Sequence, residues 1–295
     1  MRILLTGATG YIGLHLVREF LEAGHELTAL VRSPDKLGPF VGPDLRVVQA
    51  DLEQGARVAE ALEGQEACVH AALIWGEPGT ELRDTAAAAK LFAAAGSAGV
   101  SRCLFLSSAA VHRPFAGEMS EDDCLSTTDV YGATKAAGEL FLRVACAEHR
   151  MAGVVVRPGP VVGPPAFAGG SFRSDNRVAA MVTAAREGRP IDVVRGEGRQ
   201  FTAVTTLARV VRLLVSAHDP WPTYVCVDRE ILTWEQIAAL AVEVTGSRSA
   251  VNVVEPAVAA PAPRFRTARL EALLGGPAPA RDALRAHLAH LAASR

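Results

Sequence analysis

Short, nearly continuous apolar runs recur in the first half of the chain at residues 3–5, 26–31, 46–50, 67–71, 102–107 and 153–157. Stretches with apolar residues at helical spacing separate them, at 13–23, 55–62, 81–98 and 130–150. Apolar strands alternating with helices predict a parallel sheet covered on both faces, an α/β fold. After residue 165 the texture changes. Residues 166–176 are Gly-, Ser- and polar-rich and read as a loop, and 255–263 is a Pro/Ala-rich covering loop. The pattern predicts helices over 178–187, 207–216, 234–245 and 279–293, and short strands over 191–194 and 202–204. The division expected is 1–165 for the sheet and 166–295 for a smaller region packed over its C-terminal edge.

Composition narrows the field. With 295 residues the chain has room for one large domain or two small ones. It is 49% hydrophobic and 21% charged, outside the range of disordered chains. Thirty Lys and Arg against 32 Asp and Glu give a net charge of -2, and aromatic residues make up 5%. Neither the basic face nor the stacking platforms of a nucleic-acid binder are expected. No run approaches the roughly 18–20 apolar residues of a membrane span, and the segment from Met1 to Gly7 reads as a buried strand instead of a leader. Five scattered cysteines without C-x-x-C spacing fit reduced thiols in the cytoplasm, with no structural metal.

The strongest local signal is the segment Thr6-Gly7-Ala8-Thr9-Gly10-Tyr11-Ile12-Gly13, which follows an apolar strand and opens an amphipathic helix. In a dinucleotide-binding turn Gly7 permits the bend, Gly10 lets the backbone approach a pyrophosphate, and Gly13 brings helix and strand together. The same glycines could serve packing alone. The next strand ends Leu30-Val31-Arg32-Ser33, where NAD sites usually carry a carboxylate. A guanidinium pairs with a 2′-phosphate, so Arg32, helped by Ser33 and Lys36, points to NADP(H), unless it merely opens a solvated loop. Asp51 and Leu52 suit the adenine rim, and Ala71 and Ala72 are small enough for a cofactor to lie close. His70 beside them is expected to be a packed histidine.

Tyr131 and Lys135 stand at i and i+4 on a predicted helix and so share a face. An adjacent ammonium is expected to lower the phenol pKa and suit Tyr131 to proton transfer. Ser108, just past the fifth strand, could bond a substrate carbonyl. His112 and Arg113 follow; they either reach a substrate or cap a loop. Trp75 lies beyond the fourth strand, where a substrate pocket or ordinary packing could claim it.

Taken together, the motifs TGATGYIG, HAA, LSSAAV, YGATK and RPGPVVGP resemble, in order and spacing, the extended short-chain dehydrogenase/reductases, most heavily over residues 1–165. The resemblance implies a doubly wound parallel (Rossmann) sheet with a small C-terminal substrate-binding region. It implies Ser108 polarising the substrate oxygen, Tyr131 as acid–base, and Lys135 holding the cofactor ribose, with Arg157, Pro158 and Gly159 lining the nicotinamide side. Departures narrow the branch. Pro160 stands where epimerases carry an Asn, Val204-Thr205-Thr206 where they carry V-D-D, and Ser108-Ala109-Ala110 where dehydratases carry Thr-Asp-Glu. Asp84-Thr85 and alanines replace the family's N-V-x-G-T. Arg199 matches an arginine that often holds a diphosphate.

The expectation is an NADP(H)-dependent ketoreductase acting on a ketone or secondary alcohol of a small apolar molecule, its pocket including Trp75 and Phe167. A nucleotide-sugar epimerase or reductase and a non-catalytic NADP(H) sensor are the alternatives. A monomer or a homodimer is expected, the helices at 81–98 and 130–150 often forming a dimer face in similar proteins.

Overall fold

A computed structural model describes residues 1–77, 79–218, 222–257 and 262–294. The first half runs β1 (Arg2–Thr6), α1 (Tyr11–Glu22), β2 (Glu26–Val31), β3 (Leu45–Gln49), α2 (Gly55–Leu62), β4 (Ala67–His70), α3 (Thr80–Ser97), β5 (Arg102–Leu106), β6 (Glu118–Met119), α4 (Val130–His149) and β7 (Ala152–Pro158). The second half runs β8 (Val161–Val162), α5 (Asn176–Arg186), β9 (Ile191–Val194), β10 (Gly198–Arg199), β11 (Thr202–Ala203), α6 (Val204–Ser216), β12 (Thr223–Cys226) and β13 (Leu232–Thr233). It closes with α7 (Trp234–Thr245), β14 (Val251–Val254), β15 (Arg264–Phe265), α8 (Ala268–Leu274) and α9 (Arg281–Ala293).

Seven of these strands form a sheet in the order β12-β7-β5-β4-β1-β2-β3, every neighbouring pair parallel. The alternation of side chains makes it two-faced. Ile3, Leu5, Leu104 and Leu106 enter one core with Leu16 and Phe20 of α1 and Leu207, Val211 and Leu214 of α6. Leu4, Cys103 and Phe105 enter the other with Leu91 and Phe92 of α3 and Leu142 of α4. A third core joins α5, α7 and α9 through Met181, Ile237, Leu284 and Leu288.

The division at residue 165 therefore needs correction. α6 and β12 lie beyond it, yet α6 covers one face of the sheet and β12 is its edge strand. Four-residue β12 carries no pattern long enough to stand out from sequence, and the same holds for β14 and α8. Part of the expected covering loop at 255–263 falls outside the described residues. No helix among the described residues is long and apolar enough to cross a membrane, and no described group of three or more His, Cys, Asp or Glu could hold a metal.

Candidate active site

The turn between β1 and α1 is built by glycine where a side chain cannot fit. Gly7 has φ +74°, and a Cβ there would come within 2.6 Å of the Ala71 backbone. A Cβ on Gly13 would lie 1.9 Å from the Gly7 carbonyl oxygen. Gly10, the N-cap of α1, is free of such crowding: its nearest neighbour would be the Gly7 oxygen at 3.3 Å. The first N–H groups of α1, on Tyr11, Ile12 and Gly13, have no partner one turn back and suit an anion. Beside them opens a cavity of about 370 Å³ whose lining includes Gly7, Thr9, Gly10, Arg32, Lys36, Asp51, Leu52, Ala71 and Ala72. Arg32 is 74% exposed, and its guanidinium lies 3.9 Å from the Asp51 carboxylate.

Of four more residues expected here, Tyr11 and Ile12 turn their side chains elsewhere, and none of the four lines the cavity. The Tyr11 hydroxyl donates to the Gly163 carbonyl at 2.7 Å, and burial raises its pKa. Ile12 packs against the core, Gly13 serves close packing, and Ser33 precedes the 3₁₀ turn Pro34–Phe40. The loop 166–175 adds a residue that sequence reasoning missed. The Ser171 hydroxyl donates to the Thr9 carbonyl at 2.6 Å and lines the cavity. The neighbouring Phe172 ring is centred 4.7 Å from His287 and 4.4 Å from His290 of α9, and Ser174 bonds His287 Nε2 at 2.8 Å. Phe167 does not line this cavity; its ring packs on Gly38 and is centred 5.7 Å from that of Phe40.

Tyr131 sits in the first turn of α4, whose N-cap Asp129 accepts from the Gly132 N–H at 2.9 Å. Lys135 follows one turn later, buried, its Nζ 5.0 Å from the centre of the Phe105 ring. Ser108 caps the 3₁₀ turn Ala109–His112, its Oγ accepting the Ala110 N–H at 3.2 Å, and its hydroxyl favours the ionised form of the Tyr131 phenol. The Trp75 ring meets Tyr131 edge-on at 5.4 Å. Burial, opposed by Ser108, Arg173 and Arg113 and assisted by Asp84, leaves the phenol above its ordinary pKa. The expected lowering by Lys135 is not found: burial pulls that ammonium down, and its charged partner is Asp84.

Two further expectations are corrected by a buried polar cluster behind this turn. Arg157 makes a paired contact with Glu139, at 2.9 and 2.7 Å, and reaches His112 Nε2 at 2.9 Å and the Glu121 carbonyl at 3.1 Å. Ser107 donates to the same Glu139. Arg157 and His112 are thus interior, bonded to one another and absent from the cavity lining. Pro158 is buried at the end of β7, next to β12. His70 is buried as expected, 2.7 Å from the Thr6 hydroxyl and kept neutral by a pKa lowered to about 3 through burial.

A second cavity, of about 430 Å³, lies under the C-terminal region. One wall is apolar, with Ala109, Phe115, Met119, Val227 and Phe265. The other holds Arg177, Arg195, Arg199 and Trp234. Arg177 lies 4.1 Å and Arg199 5.6 Å from the Trp234 ring. Arg199 is also 3.8 Å from Asp175. Gly159 lines this cavity and not the first, and its N–H donates to Thr202 Oγ1 at 3.0 Å. Arg177, Arg195 and Trp234 stand far apart in the chain with no shared motif, so sequence gave no sign of them. Ser108 and Tyr131 line neither cavity; Ala109, next to Ser108, lines the second, and Ile74, which precedes Trp75, lines the first.

Comparison with known proteins decides the family. The NAD dependent epimerase/dehydratase family matches residues 3–225. The chain belongs to that family. Among relatives of this epimerase/dehydratase member, a 3-beta-hydroxysteroid dehydrogenase from Mycolicibacterium neoaurum is 30% identical over 177 residues, 55% of this chain and 48% of that protein. The chain thus spans about half the length of that relative. The dTDP-4-dehydrorhamnose reductase of Escherichia coli is 27% identical over 255 residues, 82% of this chain and 78% of that one. Among solved structures, MoeE5 in complex with UDP-glucose and NAD superposes with a TM-score of 0.79 at 26% identity, covering 98% and 97% of the two chains. The UDP-glucuronic acid 4-epimerase of Bacillus cereus, solved with NAD, gives 0.83 at 18% identity over 99% and 98%, a likeness of fold. The first cavity fits the dinucleotide such a family uses. Its glycine cradle has no space for a Cβ at two positions, and free N–H groups and two cations line or flank it.

Proposed function

We propose that the protein is an NADP(H)-dependent oxidoreductase of the reductase branch, transferring hydride between its cofactor and a ketone or secondary alcohol. The observation that carries this reading is Tyr131 in the first turn of α4, with the buried Lys135 one turn along the same helix and Ser108 at the turn after β5 acting on the phenol. The glycine turn, Arg32 and Lys36 hold the dinucleotide, which supplies the hydride when bound. Ser108 donates to the substrate oxygen, and Tyr131 gives that oxygen its proton in reduction or takes it in oxidation. A phenol with a raised pKa is protonated at neutral pH and so is ready as an acid. The 2′-phosphate preference rests on Arg32, exposed and aimed at the rim beside Asp51.

The apolar wall of the second cavity supports a small apolar carbonyl substrate. A second reading, a nucleotide-sugar substrate, is favoured by Arg177 and Arg199 beside Trp234, with Arg195 lining the same cavity. Exposed Leu140, Phe141 and Val144 on α4 support a homodimer.

The test is NADPH oxidation against apolar ketones and dTDP- and UDP-keto sugars, with Tyr131→Phe alongside. The variant is expected to lose at least about a hundredfold in turnover while NADPH binding stays within about threefold. Unchanged turnover would remove Tyr131 from the chemistry. Tight NADPH binding with no turnover of any carbonyl would leave the non-catalytic sensor.

A further inference from the structure

The polar residue of α3 nearest in function to the Ser–Tyr–Lys set is Asp84, at the position where the family pattern N-V-x-G-T carries an amide. It is 4% exposed. One carboxylate oxygen accepts the Ile74 N–H at 2.7 Å. Ile74 lines the dinucleotide cavity, and the next residue, Trp75, places its ring edge-on to Tyr131 at 5.4 Å. Asp84 therefore fixes the segment that carries Trp75. An asparagine would accept the same N–H equally well, so the hydrogen bond does not account for a buried carboxylate. A buried charge is retained at a cost unless another charge faces it. The nearest such charge in this region is Lys135, also 4% exposed, on the helix packed against α3; without a direct ion pair it still opposes the upward push of burial on the Asp84 carboxyl.

We propose that Asp84 is a positioning residue for the reaction: its hydrogen bond holds the Trp75 segment against Tyr131, and its charge balances Lys135 beside the phenol. The proposal rests on the reading of Tyr131 as the acid–base group.

The charge environment is specific. Tyr131 faces Ser108 from the turn after β5, Arg113 from the segment beyond it, Arg173 from the loop after β8, and Asp84 from α3. Lys135 faces Asp84 from α3 and the Phe105 ring from β5, while His70 on β4 feels the ammonium and stays neutral. Asp84 favours the protonated form of both Tyr131 and Lys135. Taking away its charge makes both groups release protons more readily.

Three substitutions separate the two roles. Asp84→Asn keeps the Ile74 hydrogen bond and removes the charge. The pH above which reductive turnover falls is expected to move down by about one unit, with KM within about twofold. The same shift appears without turnover, as an earlier rise of phenolate absorbance on alkaline titration, isolated by subtracting the Tyr131→Phe protein. Asp84→Glu keeps a carboxylate, and its pH limb is expected to stay near the parent. Asp84→Ala loses both roles: the limb shifts, and KM rises about tenfold as the Trp75 segment loosens. A changed Trp75 emission, identified against Trp75→Phe, reports that loosening.

An Asn variant whose pH limb and phenol titration both match the parent overturns the proposal. If the Asn variant unfolds, the Glu variant decides: a folded Glu variant with a shifted limb also overturns it. A Tyr131→Phe protein that keeps full turnover refutes the acid–base reading itself, whatever the Asp84 variants do.

Discussion

Arg157 is the residue whose expected place and actual place differ most, and its replacement gives a sharp prediction. Arg157→Met retains length and apolar volume but removes the guanidinium. Glu139, whose side chain is 3% exposed, then keeps only the Ser107 hydroxyl as a partner, and His112 Nε2 and the Glu121 carbonyl each lose a donor. Stranding one partner of a buried ion pair costs about 3–5 kcal/mol. For 295 residues at about 2.1 cal/mol/K each, the unfolding entropy is about 0.6 kcal/mol/K. A loss of about 4 kcal/mol thus lowers Tm by about 6–7 °C. Calorimetry supplies the midpoint, and urea unfolding supplies the free energy where the transition is two-state. Adding Glu139→Met, so that the pair becomes apolar, is expected to recover most of the loss, because a buried pair and a well-packed apolar replacement are close in stability. NADPH affinity is expected to stay within about threefold in both. A loss below about 1 kcal/mol, or a large fall in NADPH affinity at unchanged stability, would refute the interior clamp and return Arg157 to the nicotinamide side.

Arg32→Ala is expected to weaken NADPH about ten- to a hundredfold and leave NADH nearly unchanged, measured as the ratio of the two dissociation constants; an unchanged ratio would count against the 2′-phosphate contact. Gly13→Ala, with its Cβ 1.9 Å from the Gly7 oxygen, is expected to unfold or strongly destabilise the protein, whereas Gly10→Ala keeps Tm and weakens dinucleotide binding about tenfold. His287 is held neutral by burial, its pKa lowered from 6.5 to about 4. The unfolded chain therefore binds the proton first, and His287 contributes stability that is complete above pH 6.5 and lost progressively as pH falls to about 4, on the order of 3 kcal/mol in all. His287→Gln is expected to flatten Tm against pH over that interval; an unflattened curve would place the acid sensitivity elsewhere.

The glycine turn, Ser108, Tyr131 and Lys135 were legible because each is a short local pattern whose meaning depends on the element it sits in. Strands β1, β2, β4 and β5 were legible because, buried on both faces, they read as continuous apolar runs. Arg157 and His112 were misplaced for the opposite reason. Their partners Glu139 and Glu121 lie in separate segments, and nothing local marks an arginine as interior. Phe167 was assigned to a substrate pocket from its loop alone, while its contact with Gly38 and Phe40 is made across the fold. Asp84 was visible only as a departure from a motif; its value depends on a backbone N–H ten positions earlier and an ammonium on another helix.

The passage of the chain back into the main sheet through α6 and β12 bears on how such a protein can change its substrate. The arginine cavity draws on residues before α6, among them Arg177 and Arg199, and on Val227, Trp234 and Phe265 after β12. No single crossover in the gene exchanges that cavity without also exchanging α6 and β12, which cover and edge the dinucleotide-binding half. New specificity on this scaffold must come by point substitution along the cavity wall, or by three crossovers that exchange the segments on either side of residues 204–226 while sparing those and the central sheet. Lineages of this architecture are therefore expected to diversify their substrates residue by residue while the central sheet is inherited as one piece.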